Sequence, residues 1–139
     1  MLFPNDDQLT STWRTVCEGV ATDTLGTAAK VGVHDPLQPG KPRLICVYTR
    51  DFSDLVDVRR VLDELVDLGL CPREGNGIYY KCDAYTYLGI ESNNVFKLRA
   101  SLYSSREMLK MTKTTVKKTK AGDSEKGTSK KGRLEGWLF

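Results

Sequence analysis

The sequence predicts an α+β fold, a curved antiparallel sheet backed by helices on one face. Three observations predict it. Two long segments carry apolar residues at helical spacing, five short ones are rich in alternating, β-branched or aromatic residues, and most links between the short ones are brief and dense in Pro, Gly and Asn. With 139 residues, 40% hydrophobic and 28% charged, the chain can bury the core of one domain.

The first helix is expected in "PNDDQLTSTWRTVCEGV". Pro4 and the Asn/Asp cluster suit its start, and Leu9, Trp13, Val16/Cys17 and Val20 form the inward stripe. The clearest element is "SDLVDVRRVLDELVDLGL". Ser53 or Asp54 can cap it, Val58, Val61, Leu62 and Leu65 make the apolar stripe, and Gly69 stands where a C-terminal cap belongs. Arg59 with Asp63 and Arg60 with Glu64 are four apart, which predicts ion pairs on the exposed side, worth ~0.2–0.5 kcal/mol each.

Strands are expected in "GTAAKVGVH", "RLICVYT", "GIYYKC", "AYTYLGI" and "VFKLRASLY". In the last, Phe96, Leu98, Ala100 and Leu102 alternate with Lys97, Arg99, Ser101 and Tyr103. In the first, Ala29, Val31 and Val33 oppose Lys30 and His34. Four tyrosines crowd into "IYYKCDAYTYLGI". Alternation turns Ile78, Tyr80 and Cys82 inward and leaves Tyr79 and Lys81 outward, with Thr86, Leu88 and Ile90 opposing Tyr85 and Tyr87.

Charge divides the chain into a body, residues 1–109, and a basic tail, residues 110–139. From residue 108 onward there are nine Lys/Arg against three acids, which leaves twelve against fifteen in the rest. "TKTTVKKTKAGDSEKGTSKKGR" has almost no apolar residue to offset the entropy of ordering, and reads as disordered. The closing "LEGWLF" is apolar again. No apolar run approaches the ~20 residues of a membrane span, so no membrane partner is expected and the location reads as cytoplasmic or nuclear. Cys17, Cys46, Cys71 and Cys82 show no metal-ligand spacing and read as buried free thiols.

"MLFP", "LGTAAKV", "LICVYTRDFSDLVDVRRVLDELVDLGL", "IYYKCDAYTYLGI" and "LRASLYSS" together resemble the uncharacterised basophilic-leukaemia-expressed family, in the form of a fungal-type member. The resemblance covers residues 1–109. It implies the fold of the cap-binding translation initiation factor 4E, whose concave face holds a methylated guanine between two tryptophans. Here only Trp13, on the helical stripe, and Trp137, beyond the tail, are present, so the sandwich is not expected. Related sequences carry Gly-Lys-Trp ahead of the Met-Leu-Phe, and against them the chain reads as N-terminally shortened.

Catalysis finds little support: the chain has one histidine, His34, and no nucleophile, phosphate-loop or dinucleotide motif. Asp83 beside Lys81 reads as a turn-capping residue rather than an acid/base partner. No cofactor or metal is expected. The favoured reading is a monomeric, non-catalytic binding protein for RNA or a nucleotide. Lys30, Arg43, Lys81, Lys97 and Arg99 would contact phosphates, Tyr79 and Tyr85 would stack, and Lys41 lies close by in sequence. The alternative is a protein-interaction module using the helical side or "LEGWLF", because Trp and Phe are favoured anchors at such contacts.

Overall fold

The computed structural model describes residues 1–111, apart from Pro39 and Asn76. The rest of the basic tail, with "LEGWLF" and Trp137, lies outside the described residues. The elements run α1 Asp6–Ala21, β1 Ala28–Val31, β2 Ile45–Tyr48, α2 Leu55–Asp67, β3 Tyr79–Tyr80, α3 Asp83–Tyr87, β4 Tyr103–Ser104 and α4 Ser105–Lys110. The fold is mixed α+β with two small antiparallel sheets, β1–β2 and β3–β4.

A short N-terminal segment ties these ladders together. The Leu2 amide donates to the Ile45 carbonyl at 2.8 Å and the Ile45 amide returns a bond to Leu2 at 2.9 Å. The Met1 nitrogen donates to the Tyr79 carbonyl at 3.3 Å. The hydrogen-bonded order is therefore β1, β2, the Met1–Leu2 segment, β3, β4.

Both long helices cover the same side of this array. Leu9 and Val16 of α1 and Val58, Val61, Leu62 and Leu65 of α2 form one core with Ile45, Val47, Tyr80, Leu25 and Met108. Each large aliphatic side chain so buried contributes about 1.5–3 kcal/mol. Trp13 packs against this core, as its place in the stripe predicts. Cys17 does not: it is exposed, whereas Cys46, Cys71 and Cys82 are buried, and all four are free. Beyond β2 a second, smaller cluster of Cys46, Tyr48, Met1 and Leu44 forms on the far side of the sheet, so all four residues of β2 are buried.

Asp54 caps α2, accepting from the Val56 and Asp57 amides. Its C-terminus closes through Gly69 at φ 72°, with the Leu70 amide reaching the Leu65 carbonyl at 2.9 Å and the Gly69 amide reaching Val66 at 3.0 Å. Asn5 occupies the first cap of α1 without a side-chain bond.

Tyr80 is fully buried, and its hydroxyl meets the Thr49 hydroxyl at 2.7 Å. Tyr80→Phe is expected to cost about 1 kcal/mol, because Thr49 keeps a buried hydroxyl without that partner. A urea midpoint indistinguishable from that of the parent chain would refute this.

Three expectations fail. "AYTYLGI" is not a strand: residues 83–87 are the helix α3, begun at Asp83 and closed by Gly89 at φ 64°. "VFKLRASLY" is not a strand over most of its length. Residues 91–98 form a turn-rich loop in which Lys97 has φ 55°, and regular pairing begins only at Tyr103. Val33, assigned inward with Ala29 and Val31, lies past the end of β1 and is exposed.

Candidate functional site

In the β1–β2 register Lys30 stands opposite Cys46 and Ala28 opposite Tyr48. Cross-strand partners share a face, so Lys30, Cys46 and Tyr48 project away from the core that holds Ala29, Val31, Ile45 and Val47. The Lys30 Nζ lies 5.4 Å from the Tyr48 ring centroid. The nearby Tyr48 hydroxyl raises the Lys30 pKa, with the Asp83 carboxylate adding a smaller push in the same direction. Lys30 is therefore a firm cation at neutral pH. Burial pushes the Cys46 thiol up. It stays protonated at neutral pH and is a poor nucleophile in that state.

Tyr79 joins the same side. Its neighbour Tyr80 enters the core that also takes Leu2, Ile45 and Val47, so alternation turns Tyr79 outward, 51% exposed. Through the Met1–Leu2 segment it lies three strand spacings from Lys30, roughly 14 Å at ~4.8 Å each. Lys81 follows, half-buried between β3 and α3. Tyr48 itself is buried and offers no ring face to a ligand.

The other candidate residues are placed differently. Arg43 is half-buried two residues before β2, and Lys41 is exposed in the preceding loop. Tyr85 lies half-buried on α3, close enough to Tyr103 to raise its pKa slightly, after burial and Asp51. Lys97 is exposed on the 91–98 loop. Arg99 is occupied by Glu107, at 3.2 Å. That guanidinium and the Ser104 hydroxyl hold the Glu107 carboxyl below the usual range, and Ser104 and Glu107, each accepting from the other's amide, form a capping box at α4. No continuous strand carries Lys97 and Arg99 onto the face with Lys30. His34 is exposed, and among the described residues no group of three or more His, Cys, Asp or Glu could hold a metal ion.

Sequence reasoning missed what Arg59 and Arg60 do. Arg59 does pair with Asp63, at 2.9 Å, but its guanidinium also donates to the carbonyls of Met108 and, at 2.8 Å, Met111. Arg60 turns to Asp57 at 2.8 Å rather than to Glu64, and donates to the carbonyls of Thr24 at 2.5 Å and Leu25 at 3.2 Å. Arg60 also borders a charged cavity of about 440 Å³ that Arg50, Asp51 and Asp54 help to line. The i,i+4 rule predicts only local pairs. Long-range carbonyl acceptors leave no mark in the chain.

Residues 1–89 match the family model described as basophilic leukemia-expressed protein Bles03. The chain belongs to this family. The matched span carries Lys30, Arg43, Tyr79, Lys81 and Tyr85, while Lys97, Arg99 and the 91–98 loop lie beyond it. No solved structure matches this Bles03-family chain. Among its described residues no helix is long and apolar enough to cross a membrane.

Proposed function

We propose that this Bles03-family protein is a non-catalytic binding protein whose ligand is RNA or a nucleotide, held on the side of the sheet away from the helices. One observation carries the reading: the Met1–Leu2 segment links the two ladders, so the exposed cation Lys30 and the half-exposed Tyr79 lie on the same side, away from the helices. A phosphate would meet Lys30, and Lys81 would extend the positive track. A base would stack on Tyr79, a contact worth ~1–3 kcal/mol. The ladder order, with α1 and α2 on one side, supports a finer kinship to the initiation factor 4E fold, in a version without the two-tryptophan sandwich. A cytoplasmic or nuclear location would fit such a ligand.

A second reading, a protein-interaction module, draws on exposed apolar residues at 87–98, among them Tyr87, Leu88, Val95 and Phe96. The two readings separate by mutation. Fluorescence anisotropy of the full chain with a short single-stranded RNA, across a salt series, is expected to show roughly tenfold weaker binding for Tyr79→Ala. Lys30→Glu is expected to weaken binding and flatten its salt dependence. Equal binding by all three chains at every salt would assign RNA affinity to the basic tail and end the proposal for the sheet.

A further inference from the structure

Residues 91–98 form a loop held closed by one side chain. Asn94 donates from Nδ2 to the carbonyls of Glu91 and Leu98, both at 2.7 Å, and its Oδ1 accepts from the Leu98 amide at 3.1 Å. Backbone bonds from Asn94 to Glu91 and from Lys97 to Asn94, each 3.1 Å, tighten the same ring. What this pinned loop presents is apolar: Val95 is 87% exposed, Phe96 62% and Leu98 48%. Three such side chains within four residues exceed the scattered exposure that ordinary surfaces carry. Lys97 stands between Phe96 and Leu98, with Arg99 next. A preorganised aromatic tip loses little entropy when it docks.

The complement of this tip is present on the same molecule. A groove of about 550 Å³ opens between the N-terminal segment, α1 and the loop after α2, with Leu2, Phe3, Pro4, Leu70 and Ile78 on one wall and Gln8, Ser11 and Thr12 of α1 on the other. Pro4 and Gln8 both line it, and between them stand the exposed Asp6 and Asp7. Neither aspartate forms an ion pair among the described residues. An apolar tip that carries the cation Lys97 thus matches a groove with apolar residues on one wall and carboxylates at its edge.

We infer that the Asn94-pinned loop of one copy docks into the N-terminal groove of a second copy, with Phe96 on the apolar wall and Lys97 facing Asp6 and Asp7. This departs from the monomer expected from the sequence. Loop and groove are different surfaces, so the contact is head-to-tail and propagates unless a ring closes. One loop in one groove makes a small interface, so association is weak and shows at high protein concentration.

Sedimentation velocity of the full chain, from dilute to concentrated and at low and high salt, tests this. The sedimentation coefficient is expected to rise with concentration, more so at low salt. Phe96→Ser is expected to weaken association roughly tenfold or more. Lys97→Glu alone, and Asp6→Lys with Asp7→Lys, each weaken it, while mixing these two charge-reversed chains restores it. All of these side chains are exposed, and unchanged circular dichroism confirms that the variants fold. A single sedimentation coefficient at every concentration overturns the inference. So does association that survives Phe96→Ser. Binding of phosphatidylcholine/phosphatidylserine vesicles or of an RNA oligomer through Phe96, by a chain that stays monomeric, also overturns it and points to a partner of another class.

Discussion

Gly26→Ala is expected to destabilise the protein by upward of about 3 kcal/mol, lowering Tm by roughly 10 °C. A Cβ built at Gly26 would lie 1.7 Å from the Tyr48 carbonyl oxygen and 2.7 Å from its carbon. That carbonyl cannot retreat cheaply, because it accepts from the Thr27 amide at 2.8 Å and belongs to the fully enclosed strand β2. Moving β2 disturbs Ile45 and Val47 on the core side together with Cys46 and Tyr48 on the other. Gly69→Ala provides the control. Its φ of 72° strains any L side chain, yet nothing lies within 4 Å of the added Cβ, so a cost near 1 kcal/mol is expected. Thermal melts of both variants decide the matter. A Gly26→Ala chain melting no lower than Gly69→Ala would show that β2 has freedom the geometry denies it.

Arg59→Ala is expected to cost about 2–3 kcal/mol, the scale of charge-assisted hydrogen bonds to partly buried acceptors. The Arg59 side chain is only 13% exposed and serves three acceptors: Asp63 and the carbonyls of Met108 and Met111. Those carbonyls sit at the C-terminal end of α4, where helical amide donors run out and the Met108 carbonyl has the Met111 amide, at 3.2 Å, as its local donor. Without the guanidinium, α4 loses its tie to α2. The buried Met108 then loosens, and with it β4, which directly precedes α4 and holds β3. Arg59→Lys is expected to recover the loss only in part, because an ammonium is a point charge and lacks the planar fork that reaches several acceptors together. Urea denaturation measures both. Full rescue by lysine, or a loss for alanine below ~0.5 kcal/mol, would reduce Arg59 to an ordinary surface residue.

Much of the helical half was legible because its signals are local. The stripe Val58, Val61, Leu62 and Leu65 is buried throughout, Asp54 caps the helix, and Gly69 closes it. At "AYTYLGI" a helix stands where a strand is expected, and the signal for it is also local. Its ending, Leu88-Gly89-Ile90, repeats Leu68-Gly69-Leu70. Both close a helix in the same way: the Ile90 amide reaches Tyr85 at 2.8 Å and the Gly89 amide reaches Thr86 at 3.2 Å, as Leu70 and Gly69 do at α2. Tyrosine and threonine favour a strand by propensity, but the same Leu-Gly-aliphatic stop ends a helix at both places. At "VFKLRASLY" the alternation was real in sequence, but Asn94 offers the backbone side-chain partners that compete with a ladder.

The candidate site was legible in part. Lys30 and Tyr79 were each placed outward by alternation, and the structure leaves both exposed on the side away from the core. Arg99 was assigned to phosphate but is held by Glu107, a partner eight residues away across the turn that opens α4. Nothing in local spacing marks a cation that is already engaged.

By itself the sequence determined the α+β class, the two long helices and their buried faces, the stop at Gly69 and the outward set of tyrosine and lysine on the first and third strands. Each of these follows from residues within about four positions of one another, the range over which helical and strand periodicity act. Only the tertiary structure decided that the Met1–Leu2 segment would join two ladders, that Arg59 and Arg60 would tie α2 to distant carbonyls, and that residues 91–98 would form a closed loop with Phe96 outside. The first two depend on hydrogen-bond partners tens of residues apart, and the third on whether a strand finds a partner. Which backbone groups meet is settled by packing over the whole chain.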